Sequence, residues 1–272
     1  LIGQQAFEGS GLNEVELCEG LEMIGIGAFK GCRLKSINVP SSLKVIAKEA
    51  FSGCEELVEV ELRDGIEQIE EIAFKGCKLL KRIKVPPTVK NIASEAFQSC
   101  EQLEEVALCE GLEEIGDQAF QGCKSLKRLK VPSTIKVVGA FAFEDCEQLV
   151  EVELCEGLEE IDIRAFMSCI SLKRMKIPSS VKKICEEAFR DCYQLFEVEL
   201  SEGLEQIERR AFQDCKSLKR LTVPSTIKMI RNGMFDGCEQ LVEVELCEGL
   251  EQINANAFTS CKSLEYIRTP ST

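Results

Sequence analysis

Histidine and tryptophan are absent from the 272 residues, and tyrosine occurs only twice. Without histidine the chain lacks the commonest general base near neutral pH and the commonest metal ligand. Any catalysis would have to run on carboxylates, lysines or thiols. Positive charge is also in short supply: 33 Lys and Arg face 47 Asp and Glu, a net charge of −14. Phosphate recognition needs clustered positive charge, so nucleic acid and anionic membrane are poor partners. No stretch approaches about 18 consecutive apolar residues, so no membrane insertion is expected. Cys-x-x-Cys pairs and Asn-x-Ser/Thr acceptors are missing too, which removes the usual zinc spacing and the N-glycan site. The sequence has no P-loop, EF-hand loop, nucleophile elbow or His-Glu-x-x-His. Gly25-Ile26-Gly27 with Gly31 is the nearest approach to a phosphate loop, and it falls inside a repeat. No catalytic residue, cofactor site or metal site is expected.

What is present is one sentence repeated. Phe7, Phe29, Phe51, Phe74, Phe97, Phe120, Phe143, Phe166, Phe189, Phe212, Phe235 and Phe258 mark about twelve repeats of 22 or 23 residues. Such a period means a solenoid, in which each coil buries its apolar side only by stacking on its neighbours. With 44% apolar residues and no break in composition, residues 1–272 read as a single array. The chain opens in mid-repeat at Leu1 and ends in mid-repeat at Thr269-Pro270-Ser271-Thr272. Neither end shows a polar cap, so the array is expected to be a segment of a longer one.

Within one repeat, Leu126, Leu129 and Val131 alternate with Arg128 and Lys130, the period of a half-buried strand. Pro132-Ser133-Thr134 turns the chain, Ile135 and Val138 point inward again, and Ala142-Phe143 and Cys146 close the coil. At this length a second extended piece and at most one helical turn fill the remainder.

These residues, in the order L-x-x-L-x-V-P-x-x-I-x-x-I-x-x-x-A-F-x-x-C, resemble the BspA-like, or Treponema-type, leucine-rich repeats. The resemblance covers the whole chain. It implies an α/β-type repeat solenoid: a curved, right-handed coil with a parallel sheet on its concave face and little helix. It implies that Leu126, Leu129, Val131, Phe143 and Cys146 are core. The family is known for surface and adhesion proteins and implies no enzymatic activity.

The true unit is two repeats. Prolines at 40, 86, 132, 178, 224 and 270 recur every 46 residues, and Glu-Gly or Asp-Gly stands at the same turn of the intervening repeats. Charge alternates with them: residues 146–168 carry seven acids and one base, residues 169–191 six bases and three acids. In register, outward strand positions form a ladder of Arg128 and Lys130, Glu151 and Glu153, Arg174 and Lys176, Glu197 and Glu199. Opposite charges on neighbouring strands stabilise an in-register parallel sheet. These eight residues are also candidate contacts on the concave face, where solenoids commonly bind.

Eleven of the 16 cysteines occupy one column, Cys32 to Cys261, one per coil. Side chains in one column point the same way, so buried reduced thiols are expected rather than disulfides. Cys18, Cys109, Cys155 and Cys247 lie at turns two or four coils apart, beyond the reach of a disulfide, and Cys185 stands alone. So many unpaired thiols favour a reducing, intracellular compartment over the cell surface or secretion.

Departures from the repeat carry its specific information. Phe141, Ile163, Met167, Ile170, Tyr193 and Phe196 replace mostly polar or smaller residues within two or three coils. They form a candidate patch for another protein, a second copy of this chain or a larger assembly. The sequence therefore reads as a non-enzymatic interaction or scaffold protein. The alternative is a cell-surface adhesin for host or extracellular-matrix components.

Overall fold

The computed structural model describes residues 1–269, so Pro270 of the proline series lies outside the described residues. From Met23 onward every coil contributes one short strand to each of two parallel rows, and strands follow one another in chain order; ahead of them Ile2 makes only an isolated bridge to Ile24. In the first row, Arg128–Val131 pairs with Glu151–Leu154, setting Arg128 beside Glu151, Leu129 beside Val152 and Lys130 beside Glu153. Leu129 and Val152 are buried while their flanking charges stay exposed, as the period-two pattern requires. The second row is built of two-residue strands such as Val45–Ile46 and Val137–Val138, each with its second residue buried. Nine of them form one continuous sheet from Met23–Ile24 to Gln206–Ile207.

The third side is made of turns locked coil to coil. The Phe74, Phe97 and Phe120 N–H groups donate to the carbonyls of Ala96, Ala119 and Ala142 at 2.7, 2.8 and 2.8 Å. Each Phe is flanked, two residues before and two after, by left-handed backbone: Gln118 and Gly122 have φ of 57° and 72°, Phe141 and Asp145 both 58°. Runs of right-handed residues are thereby cut too short for a helical turn. No helix occurs among the described residues, so the fold is a β-solenoid. The α/β class and the helical turn expected from the sequence are corrected on this point.

The core is a column of side chains. Ten Phe rings from Phe29 to Phe235 are fully buried. Consecutive rings stack with centroids 5.2 to 5.8 Å apart and planes within 15°. Offset stacking at this distance adds roughly 0.5–1.5 kcal/mol per contact beyond area burial. The cysteine column runs beside it, and its geometry explains the residue. The Cys54 N–H bonds the Phe51 carbonyl of its own coil (3.2 Å), and the Cys54 thiol bonds the Phe29 carbonyl one coil back (3.1 Å). The same reach recurs from Cys77 to Cys261. Cysteine is thus small enough for the column and still satisfies a buried carbonyl.

The two-repeat alternation has its cause at the turns. Glu19 accepts from the Ser41 N–H (3.0 Å), the Ser41 hydroxyl (3.0 Å) and the Ser42 N–H (3.2 Å) of the next coil. Glu156 grips Ser179 and Ser180 in the same way. In return the Ser180 hydroxyl accepts from the Gly157 N–H at 2.9 Å. Gly157 has φ of 112°, and a Cβ there would collide with the Ser133 carbonyl of the preceding coil. A Glu-Gly turn therefore fits between Pro-Ser-Ser or Pro-Ser-Thr turns, with Pro86-Pro87-Thr88 after Asp64-Gly65 the step among the described residues that lacks this grip.

Candidate functional site

The strand face carries the predicted ladder. Arg128 lies 3.4 Å from Glu151, Lys130 2.9 Å from Glu153, Arg174 3.1 Å from Glu197 and Lys176 3.9 Å from Glu199. The Arg82–Glu105 and Arg220–Glu243 pairs repeat the pattern at 3.6 and 3.5 Å. In all of these the basic strand pairs with the acidic strand that follows it. The hydrogen-bonded row is interrupted after Glu151–Leu154 and after Glu197–Glu199, two of the steps from an acidic strand to the next basic one. Arg128, Lys130, Glu151 and Glu153 also line an open depression of ≈ 670 Å³. Their charges are solvated and already matched within the chain, so each pair adds little.

All six residues of the apolar patch reach the surface. Ile163 and Tyr193 are 41% and 40% exposed, and Phe141, Met167, Ile170 and Phe196 are half-buried. Phe141 and Ile163 are joined through backbone, the Phe141 N–H donating to the Ile163 carbonyl at 2.8 Å. Met167 follows on the same turn side. Ile170 and Tyr193 occupy equivalent places on adjacent coils. Phe196 precedes the strand Glu197–Glu199, beside the ladder rather than among the turns. A cation covers each of three rings: Arg164 over Phe141 at 5.6 Å, Arg174 over Phe196 at 5.1 Å and Lys216 over Tyr193 at 4.5 Å.

Beside this patch lies a cluster that the sequence reading missed. Glu187 is 1% exposed. It accepts from Arg164 Nε at 2.6 Å, Arg190 Nη1 at 3.1 Å and Arg210 Nη1 at 3.4 Å. Burial opposes its ionisation, but the hydrogen bond and charge of Arg164, then Arg190, outweigh it and hold the carboxyl below its usual range. The signal was available: Arg164, Glu187 and Arg210 fall in one column, 23 residues apart. A separate polar chain ends within electrostatic range of the cluster: Gln98 bonds Gln118 and Gln121, and Gln121 bonds the buried Glu144. Burial raises the Glu144 pKa.

One group among the described residues brings metal-type donors together: Glu160, Asp162 and Cys185 lie within 4.8 Å of one another. The Lys183 ammonium already occupies Glu160 Oε1 at 2.8 Å, and the Cys185 thiol donates to the same oxygen at 2.9 Å. Burial, then that hydrogen bond, push the thiol up to about 12. Glu160 and Cys185 are thus already committed to each other and to Lys183, and Asp162 Oδ1 accepts from the Ile163 N–H at 2.6 Å.

The repeat, its Phe and Cys columns and the whole-chain coverage meet in one comparison. The profile of the BspA type leucine rich repeat region matches residues 1–104, 67–193 and 159–272. The chain belongs to this family. A leucine-rich repeat protein from Bacteroides ovatus is 32% identical, with 98% of this chain and 69% of that one superposed at a TM-score of 0.85. A leucine rich cell surface protein from Faecalibacterium prausnitzii is 26% identical over 99% of this chain and 82% of its own, TM-score 0.59. The leucine rich repeat protein of T. pallidum is 30% identical over 68% of this chain and 82% of its own, TM-score 0.53. No curated protein matches the sequence. No helix of the described residues is long and apolar enough to cross a membrane.

These relatives lend no support to the intracellular expectation, and the structure shows why its premise was weak. Ten thiols of the column are buried, and burial pushes Cys54 and Cys100 up to about 12. Such thiols are inert in any compartment, because the thiolate is the reactive form. Their number therefore carries no information on redox environment.

Proposed function

We propose that this BspA-type array is a non-enzymatic interaction module that engages a partner protein through its turn side around Phe141, Ile163 and Met167. In this reading Ile170, Tyr193 and Phe196 extend the contact toward the strand face. The coil is right-handed and the strand row lies on its concave side, as the family implies. The observation that carries the reading is the run of large apolar side chains at positions that are polar in most other coils. Exposed anchors of this kind suit the desolvated centre of an interface. The ladder residues Arg128, Lys130, Glu151, Glu153, Arg174, Lys176, Glu197 and Glu199 serve first to neutralise neighbouring strands, and contribute register and charge steering to a partner.

The test is Phe141→Glu with Met167→Glu. The variant should melt within about 2 °C of the parent, because both side chains are only half-buried. Quantitative affinity capture should lose its enriched partner. An identical captured set from the two proteins would sink the reading.

A second reading, display at a cell surface as an adhesin, draws on the Faecalibacterium prausnitzii relative, which is a cell surface protein. Antibody labelling of intact cells tests it; signal only after lysis would refute it.

A further inference from the structure

Two coils beyond Ile163 the turn side changes character. Arg209-Arg210 stands where other coils have Asp117-Gln118 or Glu186-Glu187, and the next coil adds Arg231. The three arginines line a pocket of ≈ 330 Å³ with Glu208, Asn232 and Asn254. In a chain of net charge −14, this concentration of guanidinium and amide donors stands apart. Each arginine is held by a carboxylate, that of Glu208 at the pocket wall itself: Arg209 Nε lies 2.7 Å from Glu186, Arg210 Nη1 3.4 Å from Glu187 and Arg231 Nε 3.3 Å from Glu208. Each such contact engages one guanidinium nitrogen, and a guanidinium has further N–H donors. The side chains keep 62%, 52% and 38% of their surface exposed. Gly233 makes room beside them, since a Cβ there would press on Arg210 Cγ at 3.3 Å.

We propose that this pocket receives the carboxylates of an acidic peptide segment. The inference rests on the reading that the turn side is the recognising face, and it names the partner's chemistry there. Arginine forks match carboxylates in pairs, and amides complete the remaining hydrogen bonds. A long polyanion is disfavoured by the surrounding negative charge, whereas a short acidic segment meets only the local field. The geometry also fixes a spacing. Ile163 and Arg209 are two coils apart, with Phe spacings of 5.5 and 5.3 Å between those coils. A bulky apolar group and a carboxylate separated by about three residues of extended chain, roughly 3.3 Å each, would reach both.

The probe is fluorescein-labelled hexaglutamate, followed by fluorescence anisotropy at low salt against the full chain. Arg209→Gln with Arg231→Gln should weaken binding at least about tenfold, as expected for losing two charge-assisted contacts. Arg210 is left in place because it supports buried Glu187. Arg63→Gln with Lys78→Gln removes the same charge from exposed sites on distant coils and should leave the affinity unchanged. Equal weakening by both pairs, or no binding to the parent, overturns the proposal. Should the first pair fail to fold, hydrogen exchange on the parent decides: added hexaglutamate must protect residues 208–233, and protection confined elsewhere overturns it. Phe141→Gln with Met167→Gln, the residue type found at Gln118 and Gln121 in the same columns, removes the apolar groups without adding charge and should bind hexaglutamate like the parent, so loss of the apolar contact is told apart from loss of this one. Self-association that hexaglutamate disperses would make a second copy the occupant and overturn the peptide reading.

Discussion

Replacing Glu187 by Gln should destabilise the chain by about 1–3 kcal/mol. The substitution keeps the side-chain shape and the left-handed φ of 57°, and removes the charge and one of the two acceptor oxygens that the arginines share. Deleting one partner of a fully buried ion pair costs about 3–5 kcal/mol, because the other charge is left uncompensated. Here Arg190, Arg164 and Arg210 retain 30%, 39% and 52% of their side-chain surface, so water compensates part of the loss. The pH dependence has a definite sign. The carboxyl pKa is depressed in the folded state, so its contribution is present above the ordinary carboxylate range and is lost as pH falls through the folded value. Parent and variant should therefore differ in melting at neutral pH and converge in acid. In a stack held by nearest-neighbour contacts the damage should also be local. Amide exchange should accelerate at Phe166 and Phe189, whose N–H groups donate to the Ala188 and Ala211 carbonyls at 2.8 Å. Equal melting at neutral pH, or a difference that persists in acid, would refute the reasoning.

Glu151→Lys with Glu153→Lys sets a third basic strand between Arg128–Lys130 and Arg174–Lys176, and should lower the melting temperature at low salt. The deficit should vanish near 1 M salt, where screening acts over about 3 Å; a salt-independent deficit would point to packing instead. A small aromatic disulfide reagent should label Cys18, Cys109, Cys155 and Cys247 in the native protein, with Cys247 slowed by its partial burial and then by Glu202. The column from Cys32 to Cys238 should react only on unfolding, and peptide mapping that finds those thiols labelled as fast as Cys18 would contradict the buried geometry.

Spacing alone revealed the coil, the strand with Leu129 and Val131 inward, the recurring Phe position and the ladder, because one pattern recurs at one period. Features that depend on what a neighbouring coil supplies were harder to read. Glu187 looks like one more surface acid until Arg164 and Arg210, one coil either side, are set against it. The absence of helix was hidden because residues such as Gln118, Phe141 and Arg164, rather than glycine, hold the left-handed positions. The alternation of Glu-Gly with Pro-Ser was visible as a pattern, but its cause is the reach of Glu19 and Glu156 into the next turn. The inference from thiols to compartment found no support, because counting cannot show that each sulfur of the buried column is engaged by a carbonyl. Arg209-Arg210 was legible as a doublet, yet only the coil places Arg231 beside it.

The interlocking turns set a grammar for how this chain changes length. Excising 46 residues brings a Glu-Gly coil back against a Pro-Ser coil, and an acidic strand back against a basic one. Excising 23 residues leaves the Phe and Cys columns unbroken but sets two identical turns face to face, with no serine for one glutamate to hold. Like charges then meet across the same seam. Duplication and loss within such a gene are thus filtered by parity: an even number of coils can come or go silently, and an odd number leaves a scar.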